Sequence, residues 1–348
     1  MYNDEGFETK TSKDASKLND SLTFADPEVL NMNTHLEYLL KEMETPQNTG
    51  YCALMPWIAS WLANAFFVVL GRERFYQELS SGRLTKLNEV AEALLDLQTT
   101  GISGGPGQLP NLGNTYAALS FLKTVNRINE VRKNEIVAFI KEMQVSNGFT
   151  MHRDGEVDAR SLYSAIASYS MLYSETVGET EQMNPLASEE GRALFGKAHE
   201  LIYATQSYEG GFSSLPEEEA HGGYTFCALA SLTILQKAVP NQDLLKKWLH
   251  ARQDPISKGL SGRTNKLVDT CYNYWVGACF KLLGCTEYSA EGLVKFTLTN
   301  CQGREGGLKP SPDSHTDIYH TAYALTGLYL LGADDFNSAL GIPTTAQS

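Results

Sequence analysis

The chain has 348 residues, of which 42% are hydrophobic and 20% charged, an ordinary composition for a folded protein with a substantial core. Its net charge of −13 argues against nucleic acid as a partner and suits either solubility alone, the more economical reading, or basic partners and basic peptide substrates. No stretch approaches the roughly 18 apolar residues of a membrane span; "WIASWLANAFFVVLG" comes nearest and is too short.

Residues 1–25 are expected to be a flexible N-terminal segment, and 26–348 a single domain. The opening "MYNDEGFETKTSKDASKLND" is polar and lacks the apolar centre of a signal peptide. Cys52, Cys227, Cys271, Cys279, Cys285 and Cys301 are scattered without C-x-x-C spacing and sit mostly among apolar residues. That pattern fits reduced, buried thiols in the cytoplasm.

Beyond the first segment one unit recurs: a Gly-rich loop, a polar or aromatic cluster, then an apolar helix. Its copies are "GGPGQLPNLGNTYAALSFL", "NGFTMHRDGEVDARSLYSAIASYSML", "EGGFSSLPEEEAHGGYTFCALASLTIL", "KGLSGRTNKLVDTCYNYWVGACFKLL" and "EGGLKPSPDSHTDIYHTAYALTGLYLL". The register places Asp158, His221, Asp269 and Asp317 at equivalent points, the last three 48 residues apart. Between the copies lie patterns with one apolar and one charged face: "LTKLNEVAEALLDLQ", "NEIVAFIKEMQ", "GRALFGKAHELIYATQ", "QDLLKKWLHARQ" and "AEGLVKFTLTNCQ". Helices apolar on nearly all sides belong inside and amphipathic ones outside. The fold class is therefore all-α, a closed α-α barrel of outer and inner helix pairs, with an open solenoid as the alternative. In both, the residues at the inner-helix starts converge on one rim.

One such start, "LVDTCYNYW", sets Asp269 and Cys271 either side of one residue. Two readings are open: a capping Asp beside a buried Cys, or two ligands of a catalytic zinc, which takes three protein ligands and keeps an open position. The register brings His320, in "DIYHTAYAL", to the same rim.

"HGGYTFCALASLTIL", "GRTNKLVDTCYNYW" and "DIYHTAYALTGL" resemble the β subunits of the protein prenyltransferases, and the likeness runs from about residue 50 to "LGIPTTAQ". The resemblance implies an α-α barrel in an obligate heterodimer with an α subunit. It also implies transfer of an isoprenoid from its diphosphate to the cysteine of C-terminal C-a-a-X sequences, as on small GTPases. The family's zinc ligands map onto Asp269, Cys271 and His320, and its diphosphate-binding residues onto His221, Arg263, Lys266 and Tyr272. Its isoprenoid lining maps onto Trp57, Arg160, Tyr163, Tyr224, Cys227, Trp275 and Tyr323. Its peptide contacts map onto Trp57, Trp61, Asn111, Glu156, Arg160 and Tyr319.

Within the family, Trp57, Tyr319 and Tyr323 match enzymes that take farnesyl diphosphate, in which a Trp and a Tyr fill the space of a fourth isoprene. "VDTCYNYWVGACFKLL" and "PDSHTD" read more like the type I geranylgeranyl enzymes. Leu54, Gly113 and Asn114 depart from the usual Ser, Ala and Pro of the pocket for the last peptide residue, and Asn111 replaces a His. Pro310 stands where farnesyl enzymes hold magnesium with an Asp, next to Lys309, and type I enzymes use a Lys there. Lys309 is thus a possible substitute for Mg²⁺, which would then not be required; Asp313 is the other residue that could keep the metal. Two further classes remain to be weighed. A helical-repeat scaffold would need neither the ligand set nor the basic loop, and a squalene-type cyclase needs a D-x-D-D cluster that this chain lacks.

Overall fold

The structure, a computed structural model, describes residues 10–20, 22, 30–44, 53–174 and 184–344. Six inner positions line a ring: α3 (Met55–Leu70), α6 (Leu112–Thr124), α8 (Ala159–Tyr173), α11 (Gly222–Ile234), the broken pair α13 (Tyr272–Trp275) and α14 (Gly277–Leu283), and α16 (Ile318–Tyr329). Each packs on the next, and α16 packs back on α3, so the barrel closes and the open solenoid is excluded. Outside run α2 (Met32–Glu44), α5 (Lys86–Asp96), α7 (Lys133–Glu142), α9 (Glu189–Phe195) with α10 (Ala198–Ala204), α12 (Gln242–His250) and α15 (Ala290–Phe296). Helix α4 (Arg72–Ser81) links α3 to α5. The inner helices are buried on nearly every side; α6 is buried at all thirteen positions. The fourth inner pattern was expected to be one helix and is two, parted at Val276.

Four of the inner helices start alike. Asn111, Asp158, His221 and Asp317 are the N-caps of α6, α8, α11 and α16, and their side chains accept from Asn114, Arg160, Gly223 and His320 backbone N–H groups at 2.7–3.0 Å. Asp269 does the same for Cys271 N–H at 2.9 Å, just ahead of α13. A cap side chain satisfies donors that a helix start leaves bare. Four residues into three of these helices, Thr115, Thr225 and Thr321 accept the Ile102, Phe212 and Leu308 N–H groups at 2.9–3.0 Å. These bonds pin each Gly-rich loop over its own inner helix.

A second repeated device holds the outer layer. Gln98 exchanges two hydrogen bonds with the Arg132 backbone, Gln206 with Asn241 and Gln253 with Ser289, at 2.8–3.2 Å. Gln144 donates to Leu194 O at 3.0 Å. The last of the series, Gln302, meets Asn31 N–H and His35 Nε2 at the start of α2, which closes the outer ring as well.

The far end of the barrel is stopped by the chain itself. Strand β1 (Phe336–Asn337) pairs with β2 (Ile342–Pro343), and the turn between them enters the ring. Tyr163, Tyr116 and Tyr274 hydroxyls donate to Ala339, Leu340 and Ser338 carbonyls at 2.9–3.2 Å, and Asn64 Nδ2 donates to Gly341 O at 2.9 Å. Gly341 has φ +68° and sits so close to the Tyr116 and Tyr274 hydroxyls that a Cβ there would lie about 3 Å from both.

The N-terminal expectation needs correction over residues 10–20, which form helix α1 (Lys10–Asp20). Leu18 and Leu22 pack on Val268, Phe296 and Cys301, an apolar contact with no periodic run to announce it. Cys52 lies outside the described residues; the other five cysteines are free and buried, as expected. No helix among the described residues is long and apolar enough to cross a membrane.

Thr225 is fully buried and serves both the N–H and the carbonyl of Phe212. Thr225→Val keeps the shape but strands that backbone. It should lower unfolding stability by about 1–3 kcal/mol, read from the midpoint of thermal or urea unfolding.

Candidate active site

At the rim, Asp269, Cys271 and His320 place their ligand atoms within 4.8 Å of one another. His320 Nε2 faces Asp269 Oδ1 at 3.2 Å. Its other ring nitrogen, Nδ1, is 2.7 Å from Asp317 Oδ2. Asp317 therefore does two jobs: one oxygen caps α16 and the other fixes the imidazole so that Nε2 points at the cluster. Burial raises the Cys271 thiol far above its ordinary range, and the Asp269 charge adds to this. Burial opposes charge on His320, but the Asp269 and Asp317 carboxylates outweigh it and lift the imidazole to about 9. Burial works against the Asp269 carboxylate too, yet the bonds from His320 and Cys271 hold it below its usual value. A dense Asp–Cys–His donor set whose histidine is oriented by a further carboxylate fits zinc.

Beside the cluster lies a second group. Gly223 N–H donates to His221 Nδ1, so the ring proton sits on Nε2 and donates to the Tyr272 hydroxyl oxygen at 3.0 Å. Burial, with the Arg263 charge, lowers His221 to about 4, so the ring is neutral at pH 7. The Tyr272 O–H is then left free to donate outward. Gly222 N–H holds Gly262 O at 2.8 Å, and a Cβ on Gly262 would fall 1.9 Å from Tyr272 Cζ. The Gly-Arg loop therefore lies directly on the tyrosine ring. Arg263, half-exposed, pairs with Glu219 at 3.3 Å, and Lys266 is exposed on the same loop.

Aromatic rings continue inward. Tyr319, Tyr323, Trp275 and Trp61 pack with ring centroids 4.4–6.4 Å apart, and Trp57 lies tilted against both Trp61 and Tyr116. Trp275 Nε1 donates to the Tyr319 hydroxyl. Deeper, Tyr163, Phe226 and Tyr274 complete the lining above the C-terminal turn.

The family described as "Prenyltransferase alpha-alpha toroid domain" matches residues 30–344. The chain belongs to this family. The "Protein farnesyltransferase subunit beta" of Pyricularia oryzae is 32% identical over 311 residues, covering 79% of this chain and 58% of that relative. The protein of the same name from Schizosaccharomyces pombe is 31% identical over 323 residues, covering 87% and 79%. The chain thus spans little more than half of the first relative's length. The solved structure "Candida albicans protein geranylgeranyltransferase-I complexed with GGPP" superposes with a TM-score of 0.73 at 21% identity over 91% of this chain and 96% of that one, a likeness of fold.

In this prenyltransferase toroid the expected ligands converge, and so do His221, Arg263, Lys266 and Tyr272 around one loop. Arg160 and Glu156 pair with each other at 3.8 Å; Arg160 also binds Asp158 and lies over the Tyr224 ring at 6.0 Å. Cys227 is buried beneath them, its thiol pushed up to about 12 by burial. Two residues make bonds that were not expected. Asn111 spends its side-chain oxygen as a helix cap, so it joins the four-residue register as a fifth member. Lys309 spends its ammonium on Pro312 O at 3.1 Å, while its carbonyl accepts from Thr270, between the candidate ligands Asp269 and Cys271. Asp317, Tyr116, Phe226 and Tyr274 were missed as site residues. For Asp317 a signal existed, an Asp three residues before the rim His at a capping position.

Zinc uptake should release the protons of Cys271 and His320, while Asp269, already ionised, releases none. The sign follows: apparent zinc affinity rises with pH, by about two decades per unit from pH 7 to about 9 and by about one above it. Chelator competition across this range measures it. Asp317→Asn keeps the cap but loses the carboxylate and should weaken zinc about 10–100-fold; Cys271→Ala should lose it.

Proposed function

We propose that the chain is the catalytic β subunit of a zinc-dependent protein farnesyltransferase that acts with an α subunit on C-terminal C-a-a-X cysteines. The observation that carries this reading is the convergence, on one rim, of the Asp269–Cys271–His320 donors with the Tyr272–His221–Arg263–Lys266 group above an aromatic channel. The names of the two relatives support the same activity.

In the transfer, a bond forms between the peptide cysteine sulfur and C1 of the isoprenoid. The C1–oxygen bond breaks, and diphosphate leaves with its electron pair. Zinc, when bound, lowers the pKa of the substrate thiol and so supplies a thiolate at neutral pH. The chain's own residues act on the leaving group. Tyr272 donates its free hydroxyl hydrogen, held in place by neutral His221. Arg263 and Lys266 add positive charge where negative charge grows. The rings of Trp57, Trp275, Tyr319 and Tyr323 order the chain and exclude water from the reacting centre. Arg160 and Glu156 stand at the channel mouth, where a peptide backbone would pass.

Magnesium dependence is proposed to be low because Pro310 offers no carboxylate where farnesyl enzymes have one. Lys309 would contribute its charge from the turn tied to Thr270.

The decisive experiment is co-expression with an α subunit, followed by transfer assays with farnesyl and geranylgeranyl diphosphate. Faster transfer from geranylgeranyl diphosphate would replace the farnesyl reading with the type I one, and no transfer from either would leave a binding scaffold. Tyr272→Phe should slow single-turnover transfer about 100-fold at unchanged zinc content, the low end of the range for one lost transition-state donor. Trp57→Thr should shift selectivity toward the longer diphosphate about ten-fold, measured as the ratio of kcat/KM values.

A further inference from the structure

Beyond the rings of Trp57, Trp275 and Tyr323 the barrel holds a small cavity. It offers about 20 Å³ to the centre of a water molecule, room for one. Asn64 on α3, Thr326 on α16 and Gly341 of the C-terminal turn form its far side. Trp57, Trp61 and Asn64 follow at helical spacing on one face of α3, so Asn64 lies about 10 Å deeper than Trp57.

This far side is polar. Asn64 Nδ2 is held by Gly341 O, which fixes the amide and leaves Asn64 Oδ1 buried with no hydrogen-bond partner among the described residues. Trp61 Nε1 is likewise buried and unpaired; it approaches the Tyr323 hydroxyl without reaching hydrogen-bond geometry. An acceptor and a donor therefore line a space the size of one water. One water fits there and would serve both atoms; a hydrocarbon group in its place would leave both without a partner, and a buried unpaired polar atom costs more than a modest mismatch of size.

We propose that Asn64 is a chain-length determinant: its amide oxygen keeps the channel floor polar, so a fourth isoprene is refused by the floor as well as by the Trp57 and Tyr323 rings. The proposal rests on the farnesyl reading above. It predicts that opening the ring layer alone gives only part of the possible change in selectivity.

The test compares two double variants in the heterodimer, Trp57→Thr with Asn64→Ala and Trp57→Thr with Asn64→Ser. Alanine and serine both lose the bond to Gly341 and open similar volume, but only serine keeps a polar group at the floor. Equilibrium affinities for farnesyl and geranylgeranyl diphosphate are measured for each. The alanine variant should shift the affinity ratio toward geranylgeranyl diphosphate about ten-fold beyond Trp57→Thr alone, and the serine variant by less than about three-fold. Equal shifts would mean that volume sets the floor, and no shift in either would mean that Asn64 does not; both overturn the proposal. Retained affinity for farnesyl diphosphate shows that the barrel is folded. Should either variant not fold, Asn64→Val against Asn64→Thr repeats the comparison. An unmodified heterodimer that binds neither diphosphate, or binds geranylgeranyl diphosphate more tightly, defeats the farnesyl reading and this proposal together. A retained farnesyl preference without an alanine–serine difference defeats the proposal alone.

Discussion

Inside a closed ring of helices the first N–H groups of a helix need a partner, and five of the six inner positions meet that need with a polar side chain at the start; α3, with Leu54 at its start and Pro56 in its first turn, does not. That requirement repeats at Asn111, Asp158, His221, Asp269 and Asp317. Because the barrel is closed, all five lie on one rim. A structural demand thus supplies, at no further cost in buried polarity, a circle of preorganised Asp, His and Asn side chains facing one opening. The candidate site is built from members of that circle. Asp269 points at His320, His221 holds Tyr272, and Asp317 aims His320.

Charge is distributed to match. The chain as a whole is acidic, yet Arg263 and Lys266 stand together on the loop that crosses Tyr272. His221, a few ångströms away, is kept neutral by burial and by that positive charge, so its part is positioning. His320, between two carboxylates, is pushed the other way. Two histidines at helix starts on one rim are therefore pushed in opposite directions, and the groups around each decide which. The acidic pair around His320 suits a cation; Arg263 beside His221, with Lys266 on the same loop, suits an anion.

What the sequence made legible follows from local rules. The inner and outer helices were visible as apolar periodicity, and the caps as polar residues at a fixed register, so both the barrel and the meeting of Asp269, Cys271 and His320 could be read. The glutamine clasps were not legible. Gln98, Gln206, Gln253 and Gln302 end amphipathic helices and look like solvent-facing polar residues; their partners lie at least 34 residues away. The C-terminal turn was hidden for the same reason. Tyr116, Tyr163 and Tyr274 read as core aromatics, and nothing in their spacing shows that their hydroxyls bind carbonyls up to 224 residues away. The α13–α14 break is masked because its residues are as apolar as an unbroken helix.

The carboxylates of this rim show why capping and metal binding can share a side chain. A carboxylate has two oxygens and more than two acceptor sites. Asp317 spends one oxygen on its helix and one on His320. Asp269 caps with the same oxygen that faces His320 Nε2, which leaves its second oxygen uncommitted to the helix. A histidine cap has no such reserve: His221 spends Nδ1 on Gly223, and only Nε2 is left to act. The register can therefore place a ligand where the cap is Asp and a neutral hydrogen-bond donor where it is His. The replacement of one cap type by another at a fixed position is enough to divide the rim into a cation-binding half and an anion-binding half.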